Sequence, residues 1–311
     1  MKRIALVILA TVMSIGMTVA QSVGSRLPLK VYVEEMPQPF PASAQTQMVN
    51  KIHQMLTANG IASTDVYSDF IFTVVASPLE KEIVSGAPVQ IIQNMDFTFY
   101  IVDVNRQVVF ATYSTAAKGV GQSEAKCYLD AIKRVNITSP SVSSFINTGK
   151  KKILAYYDAE ADNLFAKARA LAEQKKFDEA FYVLCGFPTE SSQYRESLAV
   201  GNEIYRSYVD YLAQKNLARA RSVWAAQQNS KGASEAGAYL AAILPEASCY
   251  SEAMELYKEI KSKVREDWEW EMKKYQDGVD LEKQRISAWQ AVGVAYGQNQ
   301  QPTTTNLAWL R

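Results

Sequence analysis

The sequence has few of the side chains on which most enzymes and metalloproteins depend. Its 311 residues include a single histidine, His53, and three cysteines, Cys127, Cys185 and Cys249. The cysteines form no CxxC or Cys/His cluster, and His53 has no nucleophile motif beside it. We therefore expect no metal, no cofactor and no catalytic residue. We also predict that the cysteines are small buried residues and not a disulfide.

A strong charge of one sign is also absent. The chain has 33 Lys and Arg against 32 Asp and Glu, and loss of Lys2 and Arg3 with a signal peptide would leave 31 against 32. This balance provides no field that would attract nucleic acid or an anionic membrane. The densest basic run, Lys150–Lys152, is typical of a solvated helix face. We expect no nucleic-acid partner.

Long apolar runs are confined to the N-terminus. A cationic start is followed by an uncharged stretch, Ile4–Met17, and by small residues up to Ala20, which is the pattern of a signal peptide at 1–20 cleaved before Gln21. An uncleaved anchor is the alternative, although the whole uncharged stretch, Ile4–Gln21, barely reaches the roughly 17 residues that a spanning helix needs. We expect an exported protein, periplasmic or outer-membrane-associated or extracellular, with no transmembrane segment after signal cleavage. Lipidation is not expected, because no cysteine follows the signal.

The first half of the remaining chain predicts a small α/β domain at 29–138, after a leader at 21–28. Alternating or β-branched stretches predict strands at 29–35, 70–77, 90–102 and 108–116, and helical spacing predicts helices at 42–59 and 123–135. Helices that cover one face of a mostly antiparallel sheet fit this order. The predicted fold class is thus α+β, with an all-α domain following the sheet.

Strand patterns end near Thr138–Ser141, and the sequence at 139–297 reads as helix. Three similar segments lie in this half, at 174–180, 214–220 and 246–253. In each, a polar turn leads to an alanine (Ala180, Ala220, Ala253) that is followed four residues later by a large side chain. Pairs of helices joined by tight turns fit such a repeat.

These segments resemble the tetratricopeptide repeat, whose period is about 34 residues. The resemblance covers roughly 162–260, but it lacks the early Trp and the late Pro of that family, and the first unit carries about six extra residues. An unrelated helical bundle is the alternative. The resemblance implies a concave groove for a protein partner, lined by Phe165, Arg169, Asn202 and Tyr205.

An apolar stripe follows the repeats from Val264 to Tyr296, on alternating steps of four and three residues. It predicts either one long helix or two helices broken at Asp277-Gly278, because glycine is favoured just past a helix end. The polar tail at 298–311 is predicted to be flexible.

The one glycine-rich loop before a helix is Gly119-Val120-Gly121-Gln122-Ser123. It lacks the Lys-Ser/Thr of a P-loop and the third glycine of a dinucleotide site, so we interpret it as a strand-to-helix turn capped by Ser123. Together with Ala125, Ala131 and Ile132, it resembles the small domain of bacterial envelope-assembly proteins. Examples are the curli-secretion lipoprotein, the periplasmic flagellar assembly protein and the lipoprotein activators of penicillin-binding proteins.

That resemblance implies a non-catalytic domain that docks to other envelope proteins. We therefore expect an exported, non-enzymatic binding or assembly protein of the bacterial cell envelope that holds a partner protein on a helical groove. Two alternatives stay open. One is a carboxylate-based hydrolase of envelope glycans, and the other is a homo-oligomeric subunit of a self-assembling surface structure.

Overall fold

The computed structural model describes residues 25–34, 40–62, 68–264, 272–273, 280–300 and 307–310. The predicted signal peptide, half of the leader and half of the tail lie outside these residues. The strands are β1 (Ser25–Arg26), β2 (Leu29–Val31), β3 (Ile61–Ala62), β4 (Phe70–Val84), β5 (Gln90–Asp103) and β6 (Val108–Gly121). The helices are α1 (Ala42–Ala58), α2 (Glu124–Arg134), α3 (Pro140–Glu173), α4 (Phe177–Cys185), α5 (Tyr194–Ala226), α6 (Ser230–Ala241), α7 (Tyr250–Lys263) and α8 (Leu281–Asn299), with a short 3-10 helix at Ala308–Leu310.

Four strands form the main sheet in the order β2-β4-β5-β6. Strand β2 pairs in parallel with the start of β4, and the other two pairings are antiparallel. Strands β1 and β3 form a separate two-stranded parallel ladder. The α+β fold with a mostly antiparallel sheet, followed by helices, is confirmed.

One face of this sheet carries the core. Along β5, Met95, Phe97, Phe99 and Ile101 are fully buried, whereas the side chains between them are partly exposed, as expected for a strand with one covered face. The core continues into α3, where the ring of Phe145 lies 5.4 Å from that of Phe72. The sheet and the first helical pair thus share one hydrophobic core across the predicted boundary at 138. The domain limits stay a prediction.

Two strands run further than the sequence pattern predicts. Strand β4 continues to Val84 and β6 to Gly121, so Gly119 and Gly121 lie in a strand and not in a turn. The reason is packing against α2, since a Cβ at Gly119 would lie 1.9 Å from the carbonyl oxygen of Cys127. The glycines are needed for close approach of strand and helix. The Ser123 cap is confirmed, because its hydroxyl accepts a hydrogen bond from the Lys126 amide.

The prediction of a middle repeat unit is wrong. The segment 214–220, predicted to begin with a polar turn between two helices, lies inside the continuous 33-residue helix α5. No glycine or proline lies between Val209 and Trp224, and Val209, Ala213, Leu217, Ala220 and Trp224 are all buried at steps of four and three residues. The alanine spacing that resembled a repeat at this point is the buried stripe of a single helix.

The structure contains a different repeat, in which residues correspond at a separation of 56. Helix α4 ends at residue 185 and α6 at residue 241, while α5 begins at residue 194 and α7 at residue 250. Buried positions follow the same rule: Phe177, Ala180, Phe181 and Leu184 correspond to Ala233, Ala236, Gly237 and Leu240. Likewise, Ser197, Val200 and Ile204 correspond to Ala253, Leu256 and Ile260. The unit is a long helix, a short helix and a loop, longer than the 34 residues of the predicted family.

The two loops of this repeat share their hydrogen bonds. The amide of Ser191 donates to the carbonyl of Pro188 at 3.0 Å, and 56 residues later Ala247 donates to Leu244 at 3.1 Å. The shared sequence is Glu-x-Ser-x-Tyr, at 190–194 and at 246–250. Both loops are held by an aspartate of the preceding long helix. The carboxylate of Asp158 accepts from the Ser192 amide at 3.1 Å, and that of Asp210 accepts from the Ser248 amide at 2.6 Å.

Of the two alternatives for the stripe at 264–296, the single long helix is wrong. Helix α7 ends at Lys263 and α8 begins at Leu281, and Met272, Lys273 and Asp280 between them are not helical. Asp280 caps α8, since its carboxylate accepts from the Lys283 amide at 3.1 Å. The predicted break at Asp277-Gly278 itself lies outside the described residues.

Candidate interaction surfaces

Phe165, the first predicted groove residue, lies in the hydrophobic core. It is 4% exposed, and its ring stacks on that of Phe187 with centroids 5.0 Å apart. Phe187 belongs to the loop that carries the extra residues of the first predicted unit, and this loop folds back over α3. In this arrangement Phe165 has no surface to offer to a partner.

Arg169 bridges two long helices. Its Nε lies 3.2 Å from both carboxylate oxygens of Glu203, and its Nη2 lies 3.0 Å from Oε2, which ties α3 to α5. Both side chains are about half exposed. In this fork geometry Glu203 occupies N–H donors of Arg169. A carboxylate of a partner protein would otherwise use these donors.

Asn202 and Tyr205 are brought together on α5, where they face the chain's own helix α8. Trp289 of α8 is fully buried, and its Nε1 donates to Oδ1 of Asn202 at 3.3 Å. Burial, with the nearby Glu246 second, raises the pKa of Tyr205 to about 12. Asn202 is therefore engaged by α8 of the same chain, and Tyr205 lies near Arg285 of that helix, whose charge lowers the pKa of Tyr205 in opposition to burial.

Two glycines allow α8 to lie this close. A Cβ at Gly201 of α5 would lie 2.4 Å from the ring of Trp289, and a Cβ at Gly293 of α8 would lie 2.7 Å from the backbone of Phe181. At its beginning, α8 is fastened by an ion pair in which Nε of Arg285 lies 2.6 Å from Oε2 of Glu246. Sequence patterns could not place α8 in this position, because the contacts join residues that are far apart along the chain.

Among the residues that the structure describes, the longest run of exposed positions lies at the far end of the β4–β5 hairpin. All residues at 77–89, which we call the arm, are exposed. Four of them are large and aliphatic: Leu79 (55% exposed), Ile83 (62%), Val84 (41%) and Val89 (51%). Groups of exposed apolar residues are typical of interaction sites, and these four share one hairpin. The arm was not predicted from the sequence, although the charged run at 80–82, which lies among β-forming residues, was a usable signal.

The base of the arm is firmly held. Between Pro78 and Lys81 the register with β5 shifts, and the buried Gln93 donates to the freed carbonyl oxygens of Leu79 and Glu80 at 3.2 Å each. Lys81 forms an ion pair of 2.6 Å with Glu124 at the start of α2. The apolar residues are therefore presented on an ordered element.

Strand β4 also has an open edge. Strand β2 pairs only with Phe70–Phe72, and no other strand of the described residues pairs with β4 on that side. Pro78, the register shift and Lys81 interrupt this edge, and such features discourage backbone pairing with another chain. Contacts through the side chains of the arm are consequently favoured over addition of a strand.

Two carboxylates meet at the opposite end of the sheet. Asp69 precedes β4, and Asp103, the last residue of β5, is 3% exposed. Burial raises the pKa of Asp69, and the charge of Asp103 raises it further. Asp103 is engaged in its own turn, where its Oδ1 accepts from the Arg106 amide at 3.0 Å. This geometry stabilises the β5–β6 turn.

The three cysteines are unpaired. Burial raises the pKa of Cys185 to about 12. The thiol of Cys127 donates to the carbonyl of Ile91 at 3.1 Å and so joins α2 to the sheet. His53 is exposed on α1.

No protein-family model and no curated protein sequence matches the chain. Among solved structures, it is similar to a minor lipoprotein from Acinetobacter baumannii, with 14% identity and a TM-score of 0.24. That match covers 42% of this chain and 97% of the lipoprotein. At this TM-score the similarity supports no conclusion about fold or function. Among the residues that the structure describes, no helix is long and apolar enough to cross a membrane.

Proposed function

We propose that this protein is an exported, non-enzymatic binding or assembly protein of the bacterial cell envelope, and that it docks a partner protein through the arm. The signal pattern at 1–20 supports export. The observation that carries the docking surface is the run of four exposed aliphatic side chains on a braced hairpin. The groove at Asn202 and Tyr205 is not the preferred surface, because α8 fills it.

The binding energy would come from exposed apolar area. Each large aliphatic side chain gains on the order of 1.5–3 kcal/mol when it passes from full exposure to full burial. The arm exposes these side chains by roughly half, so four of them supply several kcal/mol of gross binding energy. Because the arm is already ordered by Gln93 and Lys81, little of that energy is spent on ordering the surface.

The experiment is site-specific photocrosslinking in cells that produce the protein natively. A photoreactive residue at Val89 is compared with one at Thr112, an exposed position on β6 of the same sheet. We expect a discrete protein adduct from position 89 only, and we expect Ile83→Ser to reduce it strongly. Equal adducts from both positions, or none from position 89, would refute the arm. Turnover that disappears in Asp69→Asn or Asp103→Asn would instead refute the non-enzymatic assignment.

A further inference from the structure

An open cleft of about 340 Å³ lies between α3 and the start of β6, remote in sequence from the arm. The α3 side consists of Lys152, Ala155, Tyr156, Ala159 and Glu160, which follow the three- and four-residue spacing of one helix face. The β6 side consists of Arg106, Val108 and Phe110. A volume of this size is within the range of small-ligand pockets.

The floor of the cleft is apolar and remains partly open. Val108 is 43% exposed, and Phe110 is supported from behind by the ring of Phe70 at 5.6 Å. Ala155 and Ala159 are exposed, and their small side chains leave the space that forms the cleft. An apolar side chain of a ligand would cover these residues.

The two ends of the cleft differ in charge. At one end, Lys152 is exposed and makes no ion pair or hydrogen bond with any other described residue. At the other end, Arg106 lies 4.4 Å above the ring of Tyr156, and its Nη2 is 3.5 Å from Oε1 of Glu160. The first end offers a free cation to a carboxylate. At the second end, Oε2 of Glu160 already accepts from the Asn163 side-chain amide at 3.0 Å, so an N–H group of a ligand would share this carboxylate with Arg106 and Asn163.

The length of the cleft fixes the size of the ligand. Lys152 and Glu160 are eight residues apart on α3, which corresponds to roughly 12 Å along the helix axis. About three residues of extended peptide, at roughly 3.4 Å each, span this distance. The carboxylate of a peptide C-terminus would lie at Lys152, an apolar side chain would lie on the alanine floor, and a peptide N–H would reach Glu160.

From this juxtaposition we infer that the cleft binds the free C-terminus of a peptide with apolar last residues. This site is independent of the arm, because the two surfaces share no residue. With this site, two lysines of the basic run at 150–152 have different roles. Lys150 lies 2.5 Å from Glu190 and holds the repeat loop, while Lys152 faces the cleft.

The test uses the purified protein and two probes, N-acetyl-Ala-Val-Leu with a free carboxylate and the same peptide as its C-terminal amide. Binding is measured by chemical-shift titration up to on the order of 10 mM peptide, since millimolar affinity is expected for so small a contact. We expect the acid to bind at least about tenfold more tightly than the amide, as loss of one charge-assisted contact implies. The shifts should centre on residues 106–110 and 152–160.

The matched variants are Lys152→Glu and Lys151→Glu, which make the same charge change at adjacent exposed positions of α3. Only Lys152 lines the cleft. We expect Lys152→Glu to weaken binding of the acid at least about tenfold, and Lys151→Glu to change it less than about twofold. Absence of saturable binding, equal affinity for acid and amide, or equal effects of the two variants would overturn the inference.

Discussion

The contact between Gly201 and Trp289 makes a sharp prediction about how α8 is held. Trp289 is fully buried, and a Cβ added at Gly201 would lie 2.4 Å from two atoms of its ring. Phe181 also stacks on that ring, with centroids 5.9 Å apart, so the indole is packed against α4 as well as α5. Gly201→Ala is therefore expected to act through Trp289.

Two opposing contributions determine how far Gly201→Ala changes the free energy of unfolding. Replacing a glycine inside a helix by alanine favours the helix by about 1 kcal/mol. Overpacking a filled core costs about 1–3 kcal/mol, and the short contact places this case near the upper limit. We expect Gly201→Ala to lower the free energy of unfolding by up to about 2 kcal/mol. Trp289→Ala alone should lower it by about 3–5 kcal/mol, as for other large aromatic truncations.

The decisive measurement is the double variant. Without the indole the overpacking term disappears, and Gly201→Ala in the Trp289→Ala background should raise the free energy of unfolding by about 1 kcal/mol. The assay is urea unfolding followed by far-ultraviolet circular dichroism, which does not depend on the removed tryptophan. Gly86→Ala serves as a control, since a Cβ there would meet only the carbonyl of Pro88 at 3.5 Å. A loss of the same size in both backgrounds would refute the reasoning.

Two further predictions concern the sheet and α5. Because burial and Asp103 raise the pKa of Asp69 in the fold, its contribution to stability is complete below the unfolded-state value of about 4 and is lost as pH rises through the folded-state value. Asp69→Asn should hence raise the melting temperature near pH 7 but not below about pH 4, and a uniform effect across this range would contradict titration of Asp69 as the cause. Asn216→Pro should lower the free energy of unfolding by at least about 3 kcal/mol, because it lies within a continuous helix. Near-wild-type denaturant unfolding of that variant would mean that a turn exists at 214–216.

Local patterns predicted the α/β half well. Alternation placed β5 and β6, and Ser123 caps α2 as predicted, while Ser139 caps α3 in the same way. Capping and alternation depend on neighbours within a few residues, so they can be predicted from the sequence without knowledge of the fold. The far part of β4 was underestimated, since its charged residues pair with β5 in a stretch that no core supports.

The repeat was harder to locate, because two patterns have the same spacing. A buried stripe along one helix and a recurring alanine at a helix crossing both place small and large residues three or four apart. Because of this ambiguity, a turn was predicted at 214–216, inside α5. The reliable mark was the Glu-x-Ser-x-Tyr loop, whose two copies at 190–194 and 246–250 share the same backbone hydrogen bonds.

The sequence by itself determined the α+β class, the main strands and the two helices of the first half, and the change from strands to helices after it, since each follows from periodicity and caps. Only the tertiary structure decided which surfaces are available. It placed α8 over Asn202 and Tyr205, buried Phe165 under the loop at 187–193, and left the arm and the α3 cleft open. Exposure depends on packing between residues far apart in sequence, and local sequence patterns do not predict those contacts.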